Sequence, residues 1–151
     1  MLDIDDKNKW ELLKYFNPRP TNGLRVLDLF CGCGGLSLGF QRAGYEIIAG
    51  VDFEQAALAT FEKNFGPNKA LHLDVSNSYW SERLKQLGQI DVILAGPPCQ
   101  GFSLTGPRNP DDTRNQLYKA VFDAARVLSP KAILIENVKG MAGLPPQGGP
   151  V

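Results

Sequence analysis

The sequence predicts an α/β fold: a doubly wound, Rossmann-like parallel sheet, incomplete at the C-terminus. Three observations predict it. From residue 25 onward, short apolar runs alternate with amphipathic stretches, the pattern of βα units that build a parallel sheet. The apolar runs lack polar alternation, as strands covered on both faces require. The first run also passes directly into a glycine-rich loop that opens a helix.

Residues 1–22 read as an N-terminal extension, with a short helix over "NKWELLKYF" and a proline-containing link. "RVLDLF" (25–30) is the first strand, followed by "CGCGG". "LSLGFQRAG" (36–44) is a helix closed by Gly44, since glycine is the residue that most readily ends a helix. "EIIAGV" (46–51) is the second strand. "FEQAALATFEKNFG" (53–66) is a helix with Ala57, Phe61 and Phe65 at four-residue spacing and Gly66 as terminator. "KALHLDV" (69–75) is a weaker third strand, and "SYWSERLKQLG" (78–88) a helix with Ser78 in the N-cap position. "DVILAG" (91–96) is the fourth strand. "RNQLYKAVFDAARVLSP" (114–130) is a helix whose Leu117, Val121, Ala125 and Leu128 mark one apolar stripe. "KAILIENV" (131–138) is the fifth strand. Residues 23–141 therefore form the body, and 142–151, rich in glycine and proline, read as a flexible tail that stops the chain before the domain is finished.

Composition narrows the function. The hydrophobic share of 43% and charged share of 21% are those of an ordinary globular protein. No run approaches the ~18 consecutive apolar residues of a membrane helix, and the acidic opening "MLDIDDKNKW" lacks the character of a signal peptide. Three cysteines, an odd number, point to free thiols in a reducing compartment. A cytoplasmic location without membrane contact is expected. Lysine plus arginine equals aspartate plus glutamate at 16 each, so the chain lacks the basic excess with which proteins usually grip phosphates.

In an open parallel sheet, ligands bind beyond the carboxyl ends of the strands. The residues there are Phe30, Gly32, Gly34 and Gly35 after strand one, Asp52 after strand two and Asp74 after strand three. Pro97, Pro98, Cys99 and Gln100 follow strand four, and Glu136 and Asn137 follow strand five. Polar or conformationally special residues stand at every end. The G-x-G-G loop lets bare backbone and a helix N-terminus approach a ligand. Asp52 lies about twenty residues on, the spacing of a carboxylate that binds ribose hydroxyls. Together they indicate an adenosine-containing cofactor, although tight-turn glycines and a capping carboxylate fit the same residues. The spacing departs from G-x-G-x-x-G, which speaks against a nicotinamide dinucleotide.

Cys99 sits on a turn fixed by two prolines. The one histidine, His72, alternates within "LHL" as a strand residue, so a Cys–His protease is a poor fit. Arg108 is too far along for a phosphatase-type anion loop. Cys31 and Cys33 form C-x-C without a second pair; no metal site is expected, and both read as small residues packed in the glycine loop.

"DLFCGCGGLSLGF", "GPPCQGFS" and "ENV", in this order, resemble the cytosine-C5 DNA methyltransferase family over residues 25–141. The resemblance implies a methyltransferase-type Rossmann-like sheet with S-adenosyl-L-methionine as cofactor. Phe30, Gly32, Cys33, Gly34 and Gly35 would line its methionine and ribose portions. Asp52, where the family commonly has glutamate, would bind the ribose, Phe53 would stack near the adenine, and Asp74 would meet its exocyclic amine; Pro97 would border the same pocket. Cys99 would be the nucleophile, Glu136 the acid that engages the base, Pro98 the holder of the thiol's turn and Asn137 a brace of the neighbouring loop. "GFSLTGPRNPDDTRN" (101–115) resembles the mobile loop that closes over DNA. Gln100, Ser103, Arg108 and Arg114 would then meet a cytosine flipped from double-stranded DNA. The family's later arginine-bearing motif and target-recognition region have no counterpart here, so the resemblance implies a partial enzyme, weak or inactive without a complementary chain or C-terminal region. An RNA (tRNA) cytosine-C5 methyltransferase, or a non-catalytic binding module that keeps the fold, remains open on sequence.

Overall fold

The structure, a computed structural model, describes residues 21–77, 79–98 and 117–137. Its elements are β1 (Arg25–Leu29), α1 (Gly35–Arg42), β2 (Glu46–Asp52), α2 (Gln55–Phe65), β3 (Ala70–His72), a 3₁₀ helix (Trp80–Leu87), β4 (Val92–Ala95), α3 (Leu117–Leu128) and β5 (Ala132–Ile135). The five strands form one sheet in the order β3-β2-β1-β4-β5, with every pairing parallel. The chain thus starts in the middle, winds outward to one edge and returns to wind outward to the other. The order reverses between β1 and β4, and a crevice forms at such a reversal.

β1 shows why both faces must be covered. Val26 and Leu27 are fully buried but belong to opposite layers, because successive strand side chains point to opposite faces. On one face Val26, Ile47, Val92 and Leu94 pack with Leu58, Phe61 and Phe65 of α2, joined by Leu36 and Phe40 of α1. On the other, Leu27, Leu29, Val51 and Ile93 pack with Trp80 and Leu84 of the 3₁₀ helix and with Ala120, Val121 and Ala124 of α3. Burying a side chain such as Phe61 contributes about 2–3 kcal/mol, so the two layers hold the sheet from both sides.

The expected doubly wound parallel sheet is present, with local differences. The helix expected over 78–88 is a 3₁₀ helix that begins at Trp80, with Tyr79 before it and no side-chain cap; Ser78 lies outside the described residues. Tight turns precede it: Asn77 N–H donates to the Asp74 carbonyl and Trp80 N–H to the Asn77 carbonyl, both at 3.2 Å. This i to i+3 bonding continues into the 3₁₀ winding. The third strand shortens because Asp74 closes a local turn, accepting from Ser76 N–H at 2.9 Å and Ser76 Oγ–H at 2.7 Å. β5 departs from the two-sided burial read from its sequence. Ile133 and Leu134 are 39% and 41% exposed, since β5 pairs with β4 on one side and is an edge of the described sheet on the other. Gly44 follows the C-cap Ala43 at φ 93° and Gly66 ends α2 at φ 101°, conformations that favour glycine. No helix among the described residues is long and apolar enough to cross a membrane.

Asp91 ties together the entry ends of three strands. Its side chain accepts from Arg25 N–H at 2.9 Å, from Gln89 Nε2–H at 3.0 Å and from Lys131 Nζ at 2.8 Å. Its backbone N–H donates to the Arg25 carbonyl, and its carbonyl accepts from Lys131 N–H. The Lys131 bond, then the Arg25 and Gln89 bonds, lower the Asp91 pKa from 3.8 to about 2. A depressed carboxylate contributes stability that is complete above its unfolded-state pKa of roughly 4 and is lost as pH falls through the folded value. Asp91→Asn is therefore expected to be less stable than the parent chain at pH 7 and to converge with it towards pH 2. Urea midpoints measured across that range check this.

Candidate functional site at the carboxyl ends of the strands

The glycine loop leaves β1 through a run of unusual backbone angles. Phe30 has φ 58°, Gly32 φ 53° and Gly34 φ 95°; for phenylalanine this region is sparsely populated and must be held by its surroundings. The holding bonds are specific. Cys31 N–H donates to the Val51 carbonyl at 3.1 Å, and Gly34 N–H to the Cys31 carbonyl at 2.8 Å. Gly32 N–H donates to Asp52 Oδ2 at 2.8 Å, and Asn64 Nδ2–H to the Cys33 carbonyl at 3.0 Å. The Phe61 and Phe65 rings, 4.4 Å apart at their centroids, lie beneath the turn. A Cβ on Gly34 would overlap the Phe65 ring. No side chain caps α1, so its first amide groups are not consumed by a cap.

Asp52 ends β2 with both oxygens engaged: Oδ2 by Gly32 N–H and Oδ1 by Glu54 N–H at 2.9 Å. Each carboxylate oxygen has a second lone pair, so the same group can brace the loop and accept from a ligand hydroxyl. The bonds to Ser76 hold the exposed Asp74 carboxyl below its ordinary pKa of 3.8, and it stays ionised. His72, at the end of β3, donates from Nε2 to the Phe53 carbonyl at 2.9 Å, with its ring 6.0 Å from the Phe53 ring. Phe53 itself is 69% exposed, a large apolar face standing at the sheet's rim.

These residues surround a cavity of about 520 Å³, within the range of small-molecule sites. Phe30, Asp52, Phe53, Asp74 and Pro98, singled out from sequence, all line it. Gly32 reaches it through its bond to Asp52. Pro97 is buried behind the turn and does not line the cavity. Gly34 is buried and Cys33 exposed. Gly35 lines a separate, shallower groove with Leu36, Gly39, Phe40, Ala43 and Tyr45. Glu136 is fixed by its N–H bond to the Ala95 carbonyl at 2.9 Å, and its Oε2 lies 3.8 Å from where a Cβ on Gly96 would stand. The ends of β4 and β5 are thus neighbours, with half-buried Asn137 beside them. Cys99, Gln100, Ser103, Arg108 and Arg114 lie outside the described residues, as do the N-terminal helix and the tail.

Sequence reasoning missed six cavity-lining residues: Val51, Glu54, Leu73, Val75, Gly96 and Leu117. Leu117 has the spacing of the core stripe, but the fully buried member of that stripe is Val121. It missed His72 as the support of Phe53; the signal was its place at the end of the strand beside Asp52, its register partner. Among the described residues the lining therefore combines three carboxylates (Asp52, Glu54, Asp74) with an apolar wall and contains no lysine or arginine. That lining suits a ligand that carries positive charge, hydroxyl groups and a flat apolar ring. Among the described residues no cluster of His, Cys, Asp and Glu is arranged to hold a metal ion.

The profile of the C-5 cytosine-specific DNA methylases matches residues 24–146, most of the chain. The chain belongs to this family. It is 41% identical over 133 residues to the type II methyltransferase M.AgeI of Thalassovita gelatinovora, covering 85% of this chain and 30% of that protein. To M.NgoPII of Neisseria gonorrhoeae it is 39% identical over 132 residues, covering 83% of this chain and 36% of that protein. The solved structure of a prophage-encoded DNA modification methyltransferase from E. coli is similar at a TM-score of 0.64 and 42% identity, over 79% of this chain and 33% of that one. The S. pombe Dnmt2 methyltransferase is similar at 0.58 and 28%, over 78% of this chain and 37% of that one. This C-5 methylase chain thus spans about a third of the length of the relatives it matches. The sheet, the glycine loop and the crevice all fall inside the matched part, and the fold is that of the S-adenosylmethionine-dependent methyltransferases.

Within this family fold, Gly34 is the position least tolerant of a side chain. Gly34→Ala is expected to cost about 3 kcal/mol, from overpacking against Phe65 and a strained positive φ. It should also loosen the turn that carries Gly32. Chemical denaturation followed by tryptophan fluorescence measures the loss.

Proposed function

We propose that the chain forms the cofactor-binding and catalytic part of an enzyme that methylates C5 of cytosine in double-stranded DNA. The observation that carries the reading is the crevice itself, where an acidic and aromatic cavity at the ends of β1, β2 and β3 adjoins the paired ends of β4 and β5.

The residues present fit S-adenosyl-L-methionine. Asp52 accepts from the ribose hydroxyls while its bond to Gly32 keeps the loop in place. Phe53, steadied by His72, offers its exposed face to the adenine, and Asp74 accepts from the adenine amine. The glycine loop and the uncapped start of α1 are assigned to the methionine end. When bound, the cofactor supplies a methyl group on a positively charged sulfur.

The other half of the chemistry belongs to Cys99 and Glu136. C5 of cytosine is a weak nucleophile. Addition of the Cys99 thiolate to C6 forms a C–S bond and pushes the C5–C6 π electrons towards C5. Glu136 donates a proton or hydrogen bond at N3, where charge would otherwise accumulate. After methyl transfer, loss of the C5 proton to a base returns its electron pair to the ring and expels the thiolate. Pro97 and Pro98 hold the turn that carries the thiol, and Asn137 braces the turn after β5. The target base must leave the helix to reach this geometry, and residues 101–115, with Gln100, Ser103, Arg108 and Arg114, cover it. Recognition of a particular DNA sequence, as in a restriction–modification methyltransferase, is assigned to polypeptide outside the matched third. The exposed edge and faces of β5, with Ile133 and Leu134, offer that polypeptide a place to continue the sheet.

The covalent step is tested with duplex DNA containing 5-fluorocytosine, in protein carrying the rest of the family's length. The fluorine cannot leave as a proton would, so the adduct should accumulate and map to Cys99 by mass spectrometry. Cys99→Ala is expected to abolish the adduct and lower methylation by about 10⁴-fold or more. An adduct that persists in that variant would remove Cys99 from its role.

A further inference from the structure

The groove on the outer face of α1 has an apolar lining but no cover among the described residues. Its volume is about 410 Å³, and Gly35, Leu36, Gly39, Phe40, Ala43 and Tyr45 line it. None of these side chains carries a charge, and the Phe40 and Tyr45 rings meet edge to face with centroids 4.9 Å apart. Gly35, Gly39 and Ala43 are exposed, so no described element packs over this face. One end of the groove adjoins the point where the chain enters the described fold. There Asn22 N–H donates to the Gly44 carbonyl at 2.8 Å, and Gly44 stands between Ala43 and Tyr45 of the lining. Whatever precedes Asn22 therefore starts beside the groove.

We propose that this groove is the docking site of the chain's own N-terminal segment, with residues 8–16 laid along α1. The segment precedes the residues matched by the family profile, 24–146, so the shared domain does not account for it. Trp10, Leu12, Leu13, Tyr15 and Phe16 make up five of its nine residues. In the helix that its sequence predicts, Glu11 and Lys14 are surface neighbours, and the large apolar side chains take most of the remaining circumference. A helix of nine residues is marginal in water by itself and needs an apolar surface to bury such a face. Residues 17–21, with Pro18 and Pro20, join the segment to Asn22. Six residue steps reach at most about 20 Å, and the eight residues of α1 extend about 12 Å, so the link spans the groove. So short a link holds the segment at a millimolar effective concentration. A groove that binds the detached segment with a Kd of about 0.1 mM would then be about 90% occupied. Docked there, the segment straps α1, whose first residue, Gly35, follows directly on Gly34 of the glycine loop.

The test compares amide NMR spectra of the labelled full chain and of Leu13→Asp, which puts a charge in the segment and changes no described residue. Shift differences are expected in the segment and along the groove, at Leu36, Gly39, Phe40 and Tyr45, with Asp52, Phe53 and Asp74 unmoved. Gly39→Arg is the reciprocal variant. A Cβ on Gly39 meets nothing within 4 Å among the described residues, so the arginine has room in the described fold but fills the groove. The chain has two tryptophans, and Trp80 is 5% exposed, so a rise in acrylamide quenching reports Trp10. Both variants are expected to raise that quenching about threefold or more, as release of a largely docked residue allows. Shift differences at Phe122 or at Ile133 and Leu134 in place of the groove would seat the segment elsewhere and overturn the proposal. Unchanged groove amides, or equal quenching in the parent chain and both variants, would also overturn it. A contact that forms only at concentrations where the chain dimerises gives the groove to a second copy and overturns the tethered docking. If one variant does not fold, the other decides.

Discussion

The bond from Gly32 N–H to Asp52 Oδ2 is the interaction on which the site depends. It joins the loop after β1 to the end of β2 across the carboxyl edge of the sheet. The left-handed angle at Phe30 costs energy that local sequence does not return, whereas Gly32 and Gly34 adopt theirs without strain. Partners from outside the loop hold them: Asp52, the Val51 carbonyl and Asn64. With the loop fixed, α1 starts close to the crevice and Phe30 becomes part of the cavity wall. One carboxylate thus shapes the cavity and remains part of its lining.

Packing supplies the rigidity that this bond exploits. Phe61 and Phe65 project from α2 into the space left by Gly34 and Gly50, where any side chain would collide with them. The absence of two side chains is therefore filled by two rings, and the loop is supported from below. At the opposite end of the sheet, Asp91 gathers β1, β4 and β5. The amino ends of the strands serve stability, and their carboxyl ends are left to present polar groups.

Much of this was legible in the sequence because the relevant physics is local or periodic. Apolar runs without alternation gave the five strands, and glycines at 44 and 66 marked helix ends that require positive φ. The strand-end rule brings Phe30, Asp52, Asp74 and Pro98 together, and the family resemblance adds Phe53. What escaped was set by contacts distant in the chain. Nothing in "LHL" tells that His72 will hold the Phe53 carbonyl nineteen residues away. Leu117 has the same periodicity as its core neighbours, but as the first residue of α3 it lines the cavity. The 3₁₀ winding of Trp80–Leu87 follows from the turns that precede it, and the apolar pattern does not distinguish it from an α-helix. The exposure of Ile133 and Leu134 depends on which strands neighbour β5, which its own four residues do not record.

The most direct test of the crevice as the ligand site is a map of backbone amide NMR shifts as S-adenosylhomocysteine is added to the labelled chain. The expected result is a set of shifts confined to the glycine loop (Phe30 to Gly35), the end of β2 (Asp52 to Glu54) and the turn after β3 (Asp74 and Val75), with Leu117 also perturbed. Shifts concentrated instead along the outer groove of α1, at Leu36, Phe40 and Tyr45, or no shifts in a folded chain, would contradict it.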